Sequence, residues 1–67
     1  MSPKRLGRML KTLREKKGLT QTTLAARARM SQAYVASLET GDRKNPSIGK
    51  LQSLAKALGV PVAELLE

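Results

Sequence analysis

No cysteine, histidine, tryptophan or phenylalanine occurs in this 67-residue chain, and Tyr34 is its only aromatic side chain. Without thiols there is no disulfide, no thiol nucleophile and no zinc finger. Without imidazoles the usual general base and the commonest metal ligand are missing as well. The five carboxylates, Glu15, Glu39, Asp42, Glu64 and Glu67, are scattered and read as solvated or paired charges, not as a metal or acid–base site. An enzyme is therefore not expected, and neither is a cofactor or a metal. No segment joins a long basic face to an aromatic or leucine-rich one, which argues against a membrane surface as partner. The first ten residues, MSPKRLGRML, have no apolar core of the kind a secretory signal carries, so a soluble protein inside the cell is expected.

Positive charge is abundant. Thirteen Lys and Arg stand against five Asp and Glu, a net charge of +8. Residues 1–50 hold twelve of the basic and three of the acidic side chains, leaving residues 51–67 slightly acidic. A polyanion fits the first part, and nucleic acid is the foremost candidate. A chain this short buries only about 60% of its unfolded surface, so a monomer stable by about a few kcal/mol is expected.

Apolar residues recur at three and four positions throughout and alternate nowhere, which predicts five helices and no strand. Ser2 and Pro3 open the first helix, whose stripe is Leu6, Met9, Leu10 and Leu13, and Gly18 stops it. Thr20 caps a second, carrying Leu24, Ala25 and Ala28. Ser31 caps a third, carrying Val35 and Leu38 and closed by Gly41. The polar stretch Asp42–Pro46 is a loop. Ser47 starts a fourth helix with the stripe Ile48, Leu51, Leu54, Ala55 and Leu58, stopped by Gly59, and Pro61 opens a short fifth with Val62, Leu65 and Leu66. Short loops and one set of complementary stripes predict a single domain, 1–67, an all-α, compact five-helix bundle.

The second and third helices, joined through Arg29 and Met30 alone, form a helix-turn-helix whose second member turns one face outward. Neither has an acid in its first turn, so both positive N-terminal ends are left for an outside anion such as phosphate, with Thr20 at the head of the first. On the third helix, at about 100° per residue, Ala33, Ala36, Ser37 and Thr40 lie opposite the core side and Gln32 projects from the leading end. In a major groove Gln32 can bridge adenine N6 and N7, Ser37 and Thr40 can donate or accept, and Ala33 or Ala36 can meet a thymine methyl. Residue by residue, an ordinary solvent face of small side chains explains the same pattern. Arg27, Arg29, Arg43 and Lys44 flank this face. Singly each is a solvated charge; as a set, Arg43 and Lys44 favour phosphate contact.

The ordered segments LKTLREKKGLTQTTLA, MSQAYVASLETG, the NPS after the loop, and LQSLAKALGVPVAELL resemble the Cro/C1-type (XRE-like) helix-turn-helix domains of phage repressors and bacterial transcriptional regulators, over nearly the whole chain. The resemblance implies a lambda-repressor-like DNA-binding domain, cytoplasmic and nucleoid-associated, that works as a homodimer on a two-fold symmetric operator. It implies a phosphate-bonding and buttressing role for Gln21, base reading by Gln32, Ala33 and Ser37, backbone contacts near Tyr34, Arg43, Lys44 and Asn45, and an ion pair between Arg14 and Glu39. Where the family commonly has glycine in the turn, this chain has Arg29, which implies a left-handed residue at a cost of about 1–2 kcal/mol.

The leading expectation is a sequence-specific regulator of transcription, repressing by occupying its operator or activating by contacting RNA polymerase. Val60, Val62, Leu65 and Leu66 either offer a small apolar patch for dimerisation, on DNA if not before, or for the most part close the core, and the sequence favours neither. The rival is an antitoxin or adaptor-type protein-interaction module, for which a partner-binding segment outside the bundle is expected.

Overall fold

The computed structural model describes residues 2–43 and 46–66. Five helices follow one another: α1 (Pro3–Lys16), α2 (Gln21–Ala28), α3 (Gln32–Thr40), α4 (Ile48–Leu58) and α5 (Ala63–Leu66), with no strand among the described residues. The first four begin by the same local chemistry. The hydroxyls of Ser2, Thr20, Ser31 and Ser47 each accept a hydrogen bond from the backbone N–H three residues on, meeting a donor that the helix cannot satisfy internally. Their stops differ. Gly41 and Gly59 close α3 and α4 in the left-handed region, whereas α2 ends on Arg29 at φ 60°, ψ 46°, the only non-glycine residue with positive φ among those described.

Twelve buried side chains form one core: Leu6 and Leu10 from α1, Leu24, Ala25 and Ala28 from α2, Val35 and Leu38 from α3, Leu51, Leu54, Ala55 and Leu58 from α4, and Leu65 from α5. Helix α3 packs on α1 and α2, α4 on α2, and α5 closes the end between α1 and α4. The α1–α3 crossing is close enough to need glycine. A Cβ built on Gly7 would press on the carbonyl oxygen of Leu38 and lie 2.5 Å from that of Glu39.

Three expectations about the apolar stripes change. Ile48, placed on the α4 stripe, is 59% exposed, because as the first residue of the helix it precedes the turns that reach the core. Leu65 is fully buried, so it belongs to the core and not to a dimerisation patch, while Leu66 is 42% exposed. Val62 lies ahead of α5 instead of on it, half-buried against the core.

Candidate nucleic-acid interface

Leu6, Leu10 and Arg14 follow one i, i+4 row of α1, so Arg14 continues a buried apolar row and its guanidinium needs partners. Glu39, near the end of α3, supplies them. Arg14 Nε donates to Glu39 Oε2 at 2.6 Å and Nη2 to Oε1 at 3.1 Å, with the side chains only 11% and 3% exposed. Nη1 donates to the Leu19 carbonyl at 2.8 Å. The hydrogen bond that Arg14 donates to Glu39 raises the guanidinium above its ordinary value against the opposing effect of burial, so Arg14 stays charged.

The same carboxylate reaches further. Gln21, first residue of α2, donates its amide to Glu39 Oε1 at 3.0 Å, and Gln32, first residue of α3, donates to Gln21 Oε1 at 2.7 Å. Arg14, Glu39, Gln21 and Gln32 thus form one continuous chain of hydrogen bonds from the α1–α3 crossing to the leading end of α3. Gln32 is exposed, and its own oxygen takes no such bond among the described residues.

Along the outer face of α3, Ala33 and Thr40 are exposed and Ala36 and Ser37 half-buried. Both hydroxyls already donate within the helix, Ser37 to the Tyr34 carbonyl at 2.7 Å and Thr40 to the Ser37 carbonyl at 3.1 Å. What they offer outward is therefore an acceptor. Sequence alone left both roles open to them. The Thr20 hydroxyl is also committed, accepting from the Thr23 N–H and donating to the Thr23 hydroxyl, each at 3.0 Å. A phosphate at that end would meet backbone N–H groups of the first turn of α2.

Tyr34, half-buried on the flank of α3, collects two cations. The Arg43 guanidinium carbon lies 5.0 Å and the Lys50 ammonium 4.8 Å from the ring centroid, within the range in which an aromatic quadrupole attracts a cation. The Arg43 N–H also donates to the Ser37 carbonyl at 3.1 Å, which folds the loop back on the end of α3. Neither cation forms an ion pair with a carboxylate among the described residues. Lys44 and Asn45 lie outside the described residues. Sequence reasoning missed Lys50, though a local signal was there. Lys50 occupies the third helical position after Ser47, where a capping box has Glu or Gln and where the helix dipole disfavours a cation.

Arg27 and Arg29 fall elsewhere than flanking the outer face of α3. With Ala28 they line a shallow basin shared with Ser53, Lys56 and Ala57 of α4. None of the first four helices has an acid in its first turn, so the leading ends of α2, α3 and α4 remain electropositive. No helix among the described residues is long and apolar enough to cross a membrane.

Comparison with known proteins agrees with this fold. The chain is 48% identical over 63 residues to the uncharacterized HTH-type transcriptional regulator y4dJ of Sinorhizobium fredii, covering 94% of this chain and 80% of that one. It is 39% identical over 61 residues to the immunity repressor protein of Bacillus phage phi105, covering 91% of this chain but only 42% of the repressor. Among solved structures, the restriction-modification controller protein C.AhdI from Aeromonas hydrophila superposes with a TM-score of 0.90 at 38% identity, over 94% of both chains. The biofilm master regulator SinR, solved in complex with DNA, superposes with a TM-score of 0.89 at 34% identity, over 92% of this chain and 98% of that one. A family model described as helix-turn-helix matches residues 10–65, and the chain belongs to that family, as a Cro/C1-type member.

Proposed function

We propose that this chain is a sequence-specific regulator of transcription that binds duplex DNA, working as a single domain across residues 1–67 and not as an enzyme. One observation carries the reading: the exposed leading end of α3 presents an anchored amide, Gln32, and the flank of the same helix carries two cations, Arg43 and Lys50, gathered on one aromatic ring. In this reading α3 enters the major groove, with Gln32, Ala33, Ala36, Ser37 and Thr40 facing base edges. Arg43, Lys44, Asn45 and Lys50 hold phosphates on its flank, with Tyr34 and the first turn of α2 (Thr20, Gln21) beside them. SinR, a relative solved in complex with DNA, supports it.

The regulator acts in the cytoplasm as a homodimer on a two-fold symmetric operator, with Val60, Val62 and Leu66 as the apolar patch that pairs the protomers. Occupying the operator would make it a repressor; contact with RNA polymerase would make it an activator. Selection of bound duplexes from a random pool at about 150 mM salt tests the reading, followed by titration of the winner against scrambled DNA. A palindromic consensus preferred by about 10³-fold or more is the expected result. Binding to all duplexes alike would reduce the protein to a nonspecific DNA binder. Absence of binding would transfer the function to a protein-partner module.

A further inference from the structure

We infer that the buried Arg14–Glu39 ion pair, acting through Gln21, sets which hydrogen-bonding groups Gln32 presents to a base, and so makes Gln32 select adenine over guanine. The inference rests on the reading of Gln32 as a base-contacting residue and adds to it the origin of its choice.

The direction of each hydrogen bond decides which group Gln32 presents. A carboxylate only accepts, so the Gln21 group 3.0 Å from Glu39 Oε1 must be its NH₂. That leaves the Gln21 oxygen on the other side, 2.7 Å from the Gln32 amide, and an oxygen there requires Gln32 to turn its NH₂ inward. Arg14 cannot reverse this order, because every atom of the guanidinium that reaches Glu39 is a donor. Gln32 is left with one N–H and one carbonyl oxygen for the groove. Adenine presents one acceptor, N7, and one donor group, N6–H₂, which matches that pair. Guanine presents two acceptors, N7 and O6, and needs two donors. A glutamine with a free NH₂ can offer both its hydrogens to guanine; Gln32, with one hydrogen held by Gln21, cannot. Arg14 and Glu39 are thus positioning residues for a base contact made on another helix.

The chain of donors and acceptors has a consequence that packing alone would not produce. In Glu39→Gln the single remaining oxygen is claimed by Arg14 Nε, the shortest of the contacts; Arg14 Nη2 loses its acceptor, and the new NH₂ faces Gln21. Gln21 must then turn its oxygen toward position 39 and its NH₂ toward Gln32, and Gln32 must answer with its oxygen. Both of its N–H groups would then face the groove, and the preferred base would move from adenine toward guanine.

The test uses the duplex selected by the wild-type protein and its single base-pair variants, with folding of each variant checked by circular dichroism. Gln32→Ala first locates the position that Gln32 reads, as the one whose discrimination it flattens; if it flattens none, the base-reading assignment itself fails. At the located position, Gln21→Leu, which leaves the ion pair intact, is expected to lower the adenine-over-guanine ratio by about tenfold, the size of one lost hydrogen-bonding match, while preferences elsewhere stay as they were. Glu39→Gln is expected to carry the ratio further, toward guanine. If Glu39→Gln does not fold, Gln21→Leu decides alone. An adenine preference that survives Gln21→Leu where Gln32→Ala abolishes it would overturn the inference.

Discussion

At its C-terminal end α3 is seated in the protein: Leu38 is fully buried, the Glu39 side chain is enclosed with Arg14, and the last carbonyls lie against Gly7. At its N-terminal end Gln32 and Ala33 stand in solvent, no acid offsets the helix dipole, and Tyr34 holds two cations that form no ion pair among the described residues. Within its nine residues α3 passes from a dry, close-fitted region to a wet and electropositive one. Stability is concentrated in the first and the capacity to bind an anion in the second. The link between them is polar: Glu39 belongs to the dry end, and through Gln21 it reaches the wet one.

The largest expected effect lies at the dry end. Arg14→Leu removes three hydrogen bonds and strands the Glu39 charge, at an expected cost of about 3–5 kcal/mol, enough to unfold a domain of this size. Replacing both partners, Arg14→Leu with Glu39→Met, should recover most of that loss, because no buried charge is then left alone. Urea melts of the two singles and the double form the cycle that measures it. A double variant no more stable than Arg14→Leu would show that the ion pair, and not the stranded charge, supports the α1–α3 crossing.

Two glycines inside helices give the next contrast. At Gly7 a methyl group meets the backbone of α3, so Gly7→Ala should destabilise by about 1–3 kcal/mol despite the better helix propensity of alanine. Gly49, in the first turn of α4, has only the Ser47 hydroxyl near, at 3.9 Å, and Gly49→Ala should stabilise by about 0.5–1 kcal/mol. Thermal unfolding of the pair reads the difference directly. Equal and small effects would mean that α1 and α3 can slide apart, and that the dry end is less closely fitted than its geometry indicates.

Local chemistry was legible from the sequence wherever it determined structure. Ser2, Thr20, Ser31 and Ser47 cap the helices they were expected to cap, and Gly41 and Gly59 end theirs. Periodicity found the core but not its edges. It put Ile48 on a stripe because it counts spacing and not where a helix first meets its neighbours, and it could not separate buried Leu65 from exposed Leu66. At the candidate interface the face of α3 followed from helix geometry, while the arrangement around it did not. Gln21 and Gln32 are eleven residues apart and Glu39 is eighteen from Gln21, so their hydrogen bonds depend on how α2 and α3 cross. The stacking of Lys50 on Tyr34 likewise depends on the placement of α4.

For the wet end the expected change is in salt dependence. If Lys50 neutralises one phosphate, Lys50→Ala should weaken binding to every duplex alike and reduce the slope of log affinity against log salt by about 0.9, leaving unfolding unchanged. Tyr34→Leu should act in the same direction by releasing both cations, and Tyr34→Phe, which keeps the ring, should not. A Lys50→Ala slope equal to that of the wild type would remove Lys50 from the interface and leave its stack on Tyr34 as a structural contact only.

The smallest effect concerns the turn between α2 and α3, where Arg29 takes the left-handed conformation that glycine provides at the ends of α3 and α4. Arg29→Gly relieves the steric cost of that conformation but adds freedom to the unfolded chain, so the net gain should be about 0.5 kcal/mol, read as a small rise in Tm. DNA affinity discriminates what the side chain does there. Arg29 lines the basin between α2 and α4 with Arg27 and Lys56 and does not lie on the outer face of α3, so the glycine variant should keep both its base preferences and its salt slope. A lowered slope would place the α2 end of the turn in contact with phosphate and extend the wet region across it. An unchanged slope with higher Tm would confine that region to the leading ends of the helices, with the strained arginine outside it.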